Sequence, residues 1–105
     1  MDAALRALAD ETRRTILALV WRHERPAGEI AAHFSFSRPA ISQHLTVLLE
    51  SHLVTVRQAG TRRLYQVNRE AVARLRAEFG AFWDDRIDRL KAAAERAERL
   101  KRKER

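Results

Sequence analysis

The sequence predicts a mostly α-helical domain that carries a single two-stranded β-hairpin, and three observations support that class. Glycine occurs only at Gly28, Gly60 and Gly80 and proline only at Pro26 and Pro39, too few breakers for a turn-rich β protein. Apolar residues recur at helical spacing through most of the chain. Only residues 53–67 change to a β-branched pattern, on either side of a glycine turn.

The elements follow in order. Residues 2–8 form a short helix with Leu5 and Leu8 on one face. Asp10 is placed as the N-cap of a second helix, in which Arg13, Ile16, Leu17 and Val20 keep helical spacing to about Trp21. His23-Glu24-Arg25-Pro26 interrupts it. Pro26 suits the first turn of a third helix, where a missing N–H costs little, and Ile30 and Ala31 give that helix apolar contacts before it ends near Phe34. Ser35-Phe36-Ser37 is a short connection. Ser37 is an N-cap and Pro39 falls in the first turn of a fourth helix, whose Ile41, Leu45, Leu48 and Leu49 repeat up to about His52.

Leu53–Arg57 and Arg63–Val67 form the strands, joined by the turn Ala59-Gly60-Thr61-Arg62. From about Arg69 one long helix is expected. Its apolar stripe runs through Val72, Leu75, Phe79, Phe82, Trp83, Ile87, Leu90, Ala94 and Ala97, with Gly80 a weak point but no terminator. Residues 1–98 are expected to make one domain, and residues 99–105 a charged, frayed tail.

At 105 residues the chain suffices for one compact domain and not for two. The formal net charge of +7 favours a polyanionic partner, although charge alone does not separate nucleic acid binding from solubility. The absence of cysteine excludes disulfides, thiolate nucleophiles, zinc–cysteine sites and thiol redox sensing. No apolar stretch matches a signal peptide or a membrane span, so a soluble cytoplasmic protein is expected.

A short helix, a brief turn and a second helix with a polar face make a helix-turn-helix, and the following hairpin makes its wing. An α-helix fits the major groove of B-DNA, where its exposed side chains meet base edges. In the fourth helix Ile41, Leu45 and Leu48 face inward, which leaves Arg38, Ser42, Gln43 and Thr46 to point out. No acidic residue occurs in that helix before Glu50, as a surface facing phosphates requires. Arg57, Arg62, Arg63 and Arg69 gather on the hairpin with only Glu70 opposing them, and Arg62 and Arg63 at the tip suit phosphate contact or a narrow minor groove. A solvated polar face, and charges that guard an edge strand, are the plainer accounts of each feature alone. Both features together, bracketing one helix, favour DNA.

The runs Ala7-Leu8-Ala9-Asp10-Glu11-Thr12-Arg13-Arg14-Thr15-Ile16-Leu17 and Ser37-Arg38-Pro39-Ala40-Ile41-Ser42-Gln43-His44-Leu45-Thr46-Val47-Leu48, followed by Leu53-Val54 and by Gly60-Thr61-Arg62-Arg63-Leu64-Tyr65, resemble the ArsR-type family of bacterial winged-helix repressors over nearly all of residues 3–90. The resemblance implies a homodimer that binds an operator and represses transcription. It implies that Ser37, Arg38, Ser42, Gln43 and His44 are recognition-helix contacts. It also implies that the first and last helices form the dimer interface, which places Leu5, Leu8, Phe79, Phe82, Trp83, Ile87 and Leu90 there. For His44 a structural role within the helix-turn-helix competes with DNA contact.

Many members of that family release DNA on binding metal, through cysteines near the helix-turn-helix or a His and carboxylate set on the last helix. Here Glu29-Ile30-Ala31-Ala32 stands in place of a cysteine pair. Asp84, Asp85 and Asp88 have no histidine beside them, because His23, His33, His44 and His52 all precede the wing. No metal site and no cofactor is therefore expected. Nor is an enzyme, because no nucleophile, phosphate loop or pocket motif accompanies Asp84 and Asp85. Trp21 and Trp83 are expected to pack. The alternatives are a ligand- or metal-responsive sensor of the same fold and a winged-helix protein-interaction module. The basic wing and polar reading face disfavour the latter.

Overall fold

The computed structural model describes residues 3–80 together with Arg89, Ala92 and Arg96. Helix α1 (Ala3–Leu8) leads into α2 (Glu11–Leu19), a two-residue strand β1 (Arg25–Pro26) and the short helix α3 (Ala27–Ala31). Helix α4 (Arg38–Glu50), strands β2 (Val54–Ala59) and β3 (Arg62–Val67) and helix α5 (Arg69–Phe79) follow.

Side-chain caps set the helix starts. Asp10 accepts the Arg13 backbone N–H at 3.0 Å, Ser37 that of Ala40 at 3.3 Å and Asn68 that of Ala71 at 3.2 Å, each satisfying a donor the first helical turn leaves open. The first two are the expected caps. Helix α4 stops without glycine. His52 takes φ +64°, His52 N–H donates to Leu49 O and Leu53 N–H to Leu48 O, both at 3.0 Å, and Leu48 and Leu53 are both fully buried. This is a Schellman closure with its hydrophobic contact, and histidine tolerates the left-handed conformation better than most residues.

Strand β3 lies between β1 and β2, all antiparallel. The hairpin register runs from Val54↔Val67 to Ala59↔Arg62, which leaves Gly60-Thr61 as a two-residue turn with Gly60 at φ +64°, a position that suits glycine. Period-two alternation buries Val54, Tyr65 and Val67 on one face. The core joins Ile16 and Leu17 of α2 and its C-cap Val20 to Ile30 of α3, Ile41, Leu45 and Leu48 of α4, and Leu53. It therefore lies under α4 and holds that helix rigidly against the body.

The structure corrects several expectations. Strand β1 is an addition, because Arg25-Pro26 pairs with Tyr65 and Leu64, and Pro26 caps α3 from outside its first turn. A proline on an edge strand lacks only a donor that the sheet does not need there. Helix α2 ends at Leu19, short of Trp21. Gly80 does terminate α5. It adopts φ +59°, ψ −142°, a backbone conformation suited to glycine, and its N–H closes on Arg76 O at 2.8 Å. Arg89, Ala92 and Arg96 are again helical, and the proposed tail at 99–105 lies outside the described residues.

Candidate nucleic-acid interface

Burial of Ile41, Leu45 and Leu48 fixes the rotation of α4 and leaves Ser37, Arg38, Ser42, Gln43 and Thr46 exposed. The Ser37 hydroxyl accepts at the cap, yet its own proton stays available to a ligand. Thr46 Oγ1 donates to Ser42 O at 2.9 Å, so that hydroxyl turns back on its helix. Ser42 and Gln43 side chains engage no group among the described residues and are open to a partner.

His44 sits differently. Its ring is half-buried, with Nδ1 3.4 Å from Arg13 Nη1 and 4.0 Å from Asp10 Oδ1. Arg13 also donates from Nε to Ala7 O at 2.8 Å and from Nη2 to Arg6 O at 3.2 Å, which ties the end of α1 to the reading helix. At Asp10, partial burial pulls the carboxyl upward. The Arg13 N–H bond, the Arg13 charge and His44 outweigh that effect and hold it below its ordinary value. Of the five residues assigned to α4, the structure thus groups four on the open side and turns His44 toward α2.

The wing divides as well. Arg57 pairs with Glu24 through two bonds, Nε to Oε2 at 2.8 Å and Nη2 to Oε1. That bond holds Glu24 below the usual carboxylate value and pushes Arg57 up. Arg69 donates from Nη2 to Trp21 O at 2.8 Å. The expectation that Glu70 alone opposes the hairpin arginines is therefore corrected, because Glu24 lies 33 residues before Arg57 and no local pattern announces the pair. Arg62 and Arg63 remain exposed at the tip, with the Arg63 guanidinium 5.9 Å from the Tyr65 ring centre.

Between α4 and the wing lies an open cleft of about 490 Å³. Pro26, Ala27 and Gly28 form its floor, Arg38 and Ser42 one wall, and Thr61, Arg62, Arg63 and Tyr65 the other. Sequence reasoning placed Arg38 with the base readers and did not single out Thr61, Tyr65 or Gly28. It also passed over Phe36, which is 48% exposed and stacks on Phe34 with ring centres 5.7 Å apart just before the Ser37 cap. A lone aromatic in a polar connection was the available signal.

The residues assigned to a dimer interface fare unevenly. Leu8 is only 4% exposed and belongs to the chain's own core, so it has almost no surface left for a partner. Leu5 packs partly against that core. Phe79 closes α5, while Phe82, Trp83, Ile87 and Leu90 lie outside the described residues. Among the described residues no three histidine or carboxylate side chains meet as a metal ion requires, and no helix is long and apolar enough to cross a membrane.

A short helix, a turn, a helix with an open polar face and an arginine-tipped hairpin define a winged helix-turn-helix DNA-binding domain. Comparison with known proteins agrees. The family described as "Bacterial regulatory protein, arsR family" matches residues 10–56, from the α2 cap into β2. The HTH-type transcriptional regulator Rv2034 of Mycobacterium tuberculosis is 46% identical over 82 residues, 78% of this chain and 77% of that protein. The transcriptional repressor SdpR of Bacillus subtilis is 37% identical over 68 residues, 65% of this chain and 76% of that one. Among solved structures, the homodimeric winged helix-turn-helix DNA-binding domain Mb0332 of Mycobacterium bovis superposes with a TM-score of 0.66 at 34% identity, over 79% of this chain and 77% of that one. The chain belongs to the ArsR family and is a DNA-binding transcriptional regulator.

Proposed function

We propose that the protein is a homodimeric repressor that recognises an inverted-repeat operator, acting on DNA in the cytoplasm at the nucleoid and not as an enzyme. One observation carries the reading: the open Ser37, Ser42 and Gln43 face of α4 stands beside a cleft walled by arginines and, among the described residues, free of carboxylates. Serine and glutamine hydrogen-bond base edges, while arginines neutralise phosphates. Repression is supported by the resemblance to SdpR, and dimerisation by the homodimeric neighbour from M. bovis. The apolar stripe at Phe79, Phe82, Trp83, Ile87 and Leu90 supports dimerisation too, because one small domain has little with which to cover it. Reading helices of such a dimer enter successive major grooves about 34 Å apart, hence the inverted repeat.

Sequencing genomic fragments retained by the purified protein, followed by transcription in vitro from the recovered promoters, tests the reading. The expected result is a palindromic site and reduced transcript. Fragments without a shared motif would sink it. Trp83→Arg is expected to yield monomers in sedimentation and to weaken operator binding together. Zinc or a chelator is expected to leave operator affinity unchanged, since the chain has no cysteine and no histidine after the wing. A stoichiometric metal with a tenfold change in affinity would reverse that part.

A further inference from the structure

We propose that the cleft between α4 and the wing is a seat for one backbone phosphate of the bound DNA, and that Arg38 belongs to this seat and not to base readout. The inference rests on α4 lying in the major groove. Neighbouring major and minor grooves are separated by a single sugar–phosphate strand. When a helix occupies one groove and the wing reaches the next, that strand has to cross whatever lies between them. Here that place is the cleft of about 490 Å³, within the roughly 300–1,000 Å³ of small-ligand sites.

Its chemistry suits a phosphodiester. Arg38 lines it together with Arg62 and Arg63, no carboxylate among the described residues lines it, and Ser42 stands at its edge. Neither Arg38 nor Arg62 has an ion-pair partner among the described residues. Arg38 lies against Gly28. A Cβ placed there would lie 3.4 Å from its Nη1, an ordinary contact distance, so the guanidinium rests against the cleft floor. Three arginines line the same cleft, and an anion bound between like charges relieves their repulsion through charge-assisted bonds.

The test is phosphate-by-phosphate neutralisation. Each operator phosphate is replaced in turn by an uncharged methylphosphonate, and the affinities of wild type, Arg38→Ala and Arg62→Ala are measured against every substituted duplex. One position is expected to weaken the wild type about tenfold, the scale of one charge-assisted hydrogen bond, and to weaken both variants by a smaller factor. Arg38→Ala is further expected to lower affinity for operator and random DNA by the same factor and to flatten the log–log salt dependence by about one unit. If Arg38→Ala selectively loses operator over random DNA, or if the two variants reduce the effect at different phosphates, the proposal is overturned while DNA binding stands. Wild-type protein that binds no duplex would instead sink the docking on which it rests. Inorganic phosphate is expected to compete no better than chloride at matched ionic strength. Specific displacement by free phosphate would make the cleft a site for a soluble anion and overturn the assignment to DNA. Both arginines are exposed, so melting curves of the variants should match the wild type and exclude misfolding as the cause.

Discussion

The middle and the tip of the β-hairpin carry the same residue type and use it in opposite ways. Midway along it, Arg57 is held by Glu24, and just past the hairpin Arg69 is held by the Trp21 carbonyl. At the tip, Arg62 and Arg63 point into solvent beside the cleft. The same split runs through the molecule. Arg13 and Arg14 cap the carbonyls at the end of α1, and Arg25 is buried against Leu19 O, while Arg38 stays open. The net charge of +7 is therefore a poor measure of what a DNA strand meets. An arginine is available to phosphate only where the fold leaves no carbonyl or carboxylate within its reach.

The largest expected effect lies on the inner side of that division. Arg25 is 8% exposed, donates from Nε to Leu19 O at 2.6 Å and from Nη1 to Glu29 Oε1 at 2.6 Å. Arg25→Ala should cost about 2–3 kcal/mol, the range for hydrogen bonds from a charged group plus an orphaned buried carbonyl. Thermal melts should fall by roughly 10–20 °C for a domain of this size. Below the melt, operator affinity should be that of the wild type. A variant that melts normally but fails to bind DNA would place Arg25 on the outer side and break the comparison.

The outer side separates further. Gln43→Ala should cost about 1–3 kcal/mol of discrimination between operator and random DNA, with an unchanged salt slope. Arg62→Ala should weaken both DNAs, flatten the slope by about one unit and leave stability within about 0.5 kcal/mol. Isotherms at several salt concentrations decide this. Should Arg62→Ala instead erode preference at A·T-rich flanking positions, the tip would be reading minor-groove width, and only Arg38 would remain as a phosphate contact.

How far the sequence anticipates this division depends on the range of the interactions. The caps at Asp10 and Ser37, the inward stripe of α4 and the turn at Gly60-Thr61 are local, and periodicity with turn chemistry reveals them. Strand β1 is two residues long and exists only because β3 offers a free edge, so no period marks it. The partners of Arg57 and Arg69 lie 33 and 48 residues away, and a single sequence gives no means of choosing them from other acceptors. The role of Gly80 was misjudged because an apolar stripe continues past it, although a glycine at positive φ outweighs a continuing stripe. A helical face that includes Leu8 is visible in sequence, whereas what covers it is not.

The smallest effect concerns His44, the reading-helix residue that faces inward. Asp10 accepts the Arg13 N–H at 3.0 Å and lies 4.0 Å from His44 Nδ1. Its carboxyl sits below the ordinary value in the fold, so its contribution is present at neutral pH and is lost as pH falls through the folded-state value. Asp10→Ala should cost about 1 kcal/mol at about pH 7, as loss of an N-cap does. Asparagine also caps, so Asp10→Asn should cost less at that pH, and its deficit against the wild type should close as acid protonates the native carboxyl. Urea melts across the acid range measure both. Neither variant should change the ratio of operator to random affinity, because Asp10, Arg13 and His44 contact one another between α2 and α4. If Asp10→Asn shifts that ratio as far as Gln43→Ala does, His44 belongs to the reading surface, and the line between held and open side chains runs through α4 itself.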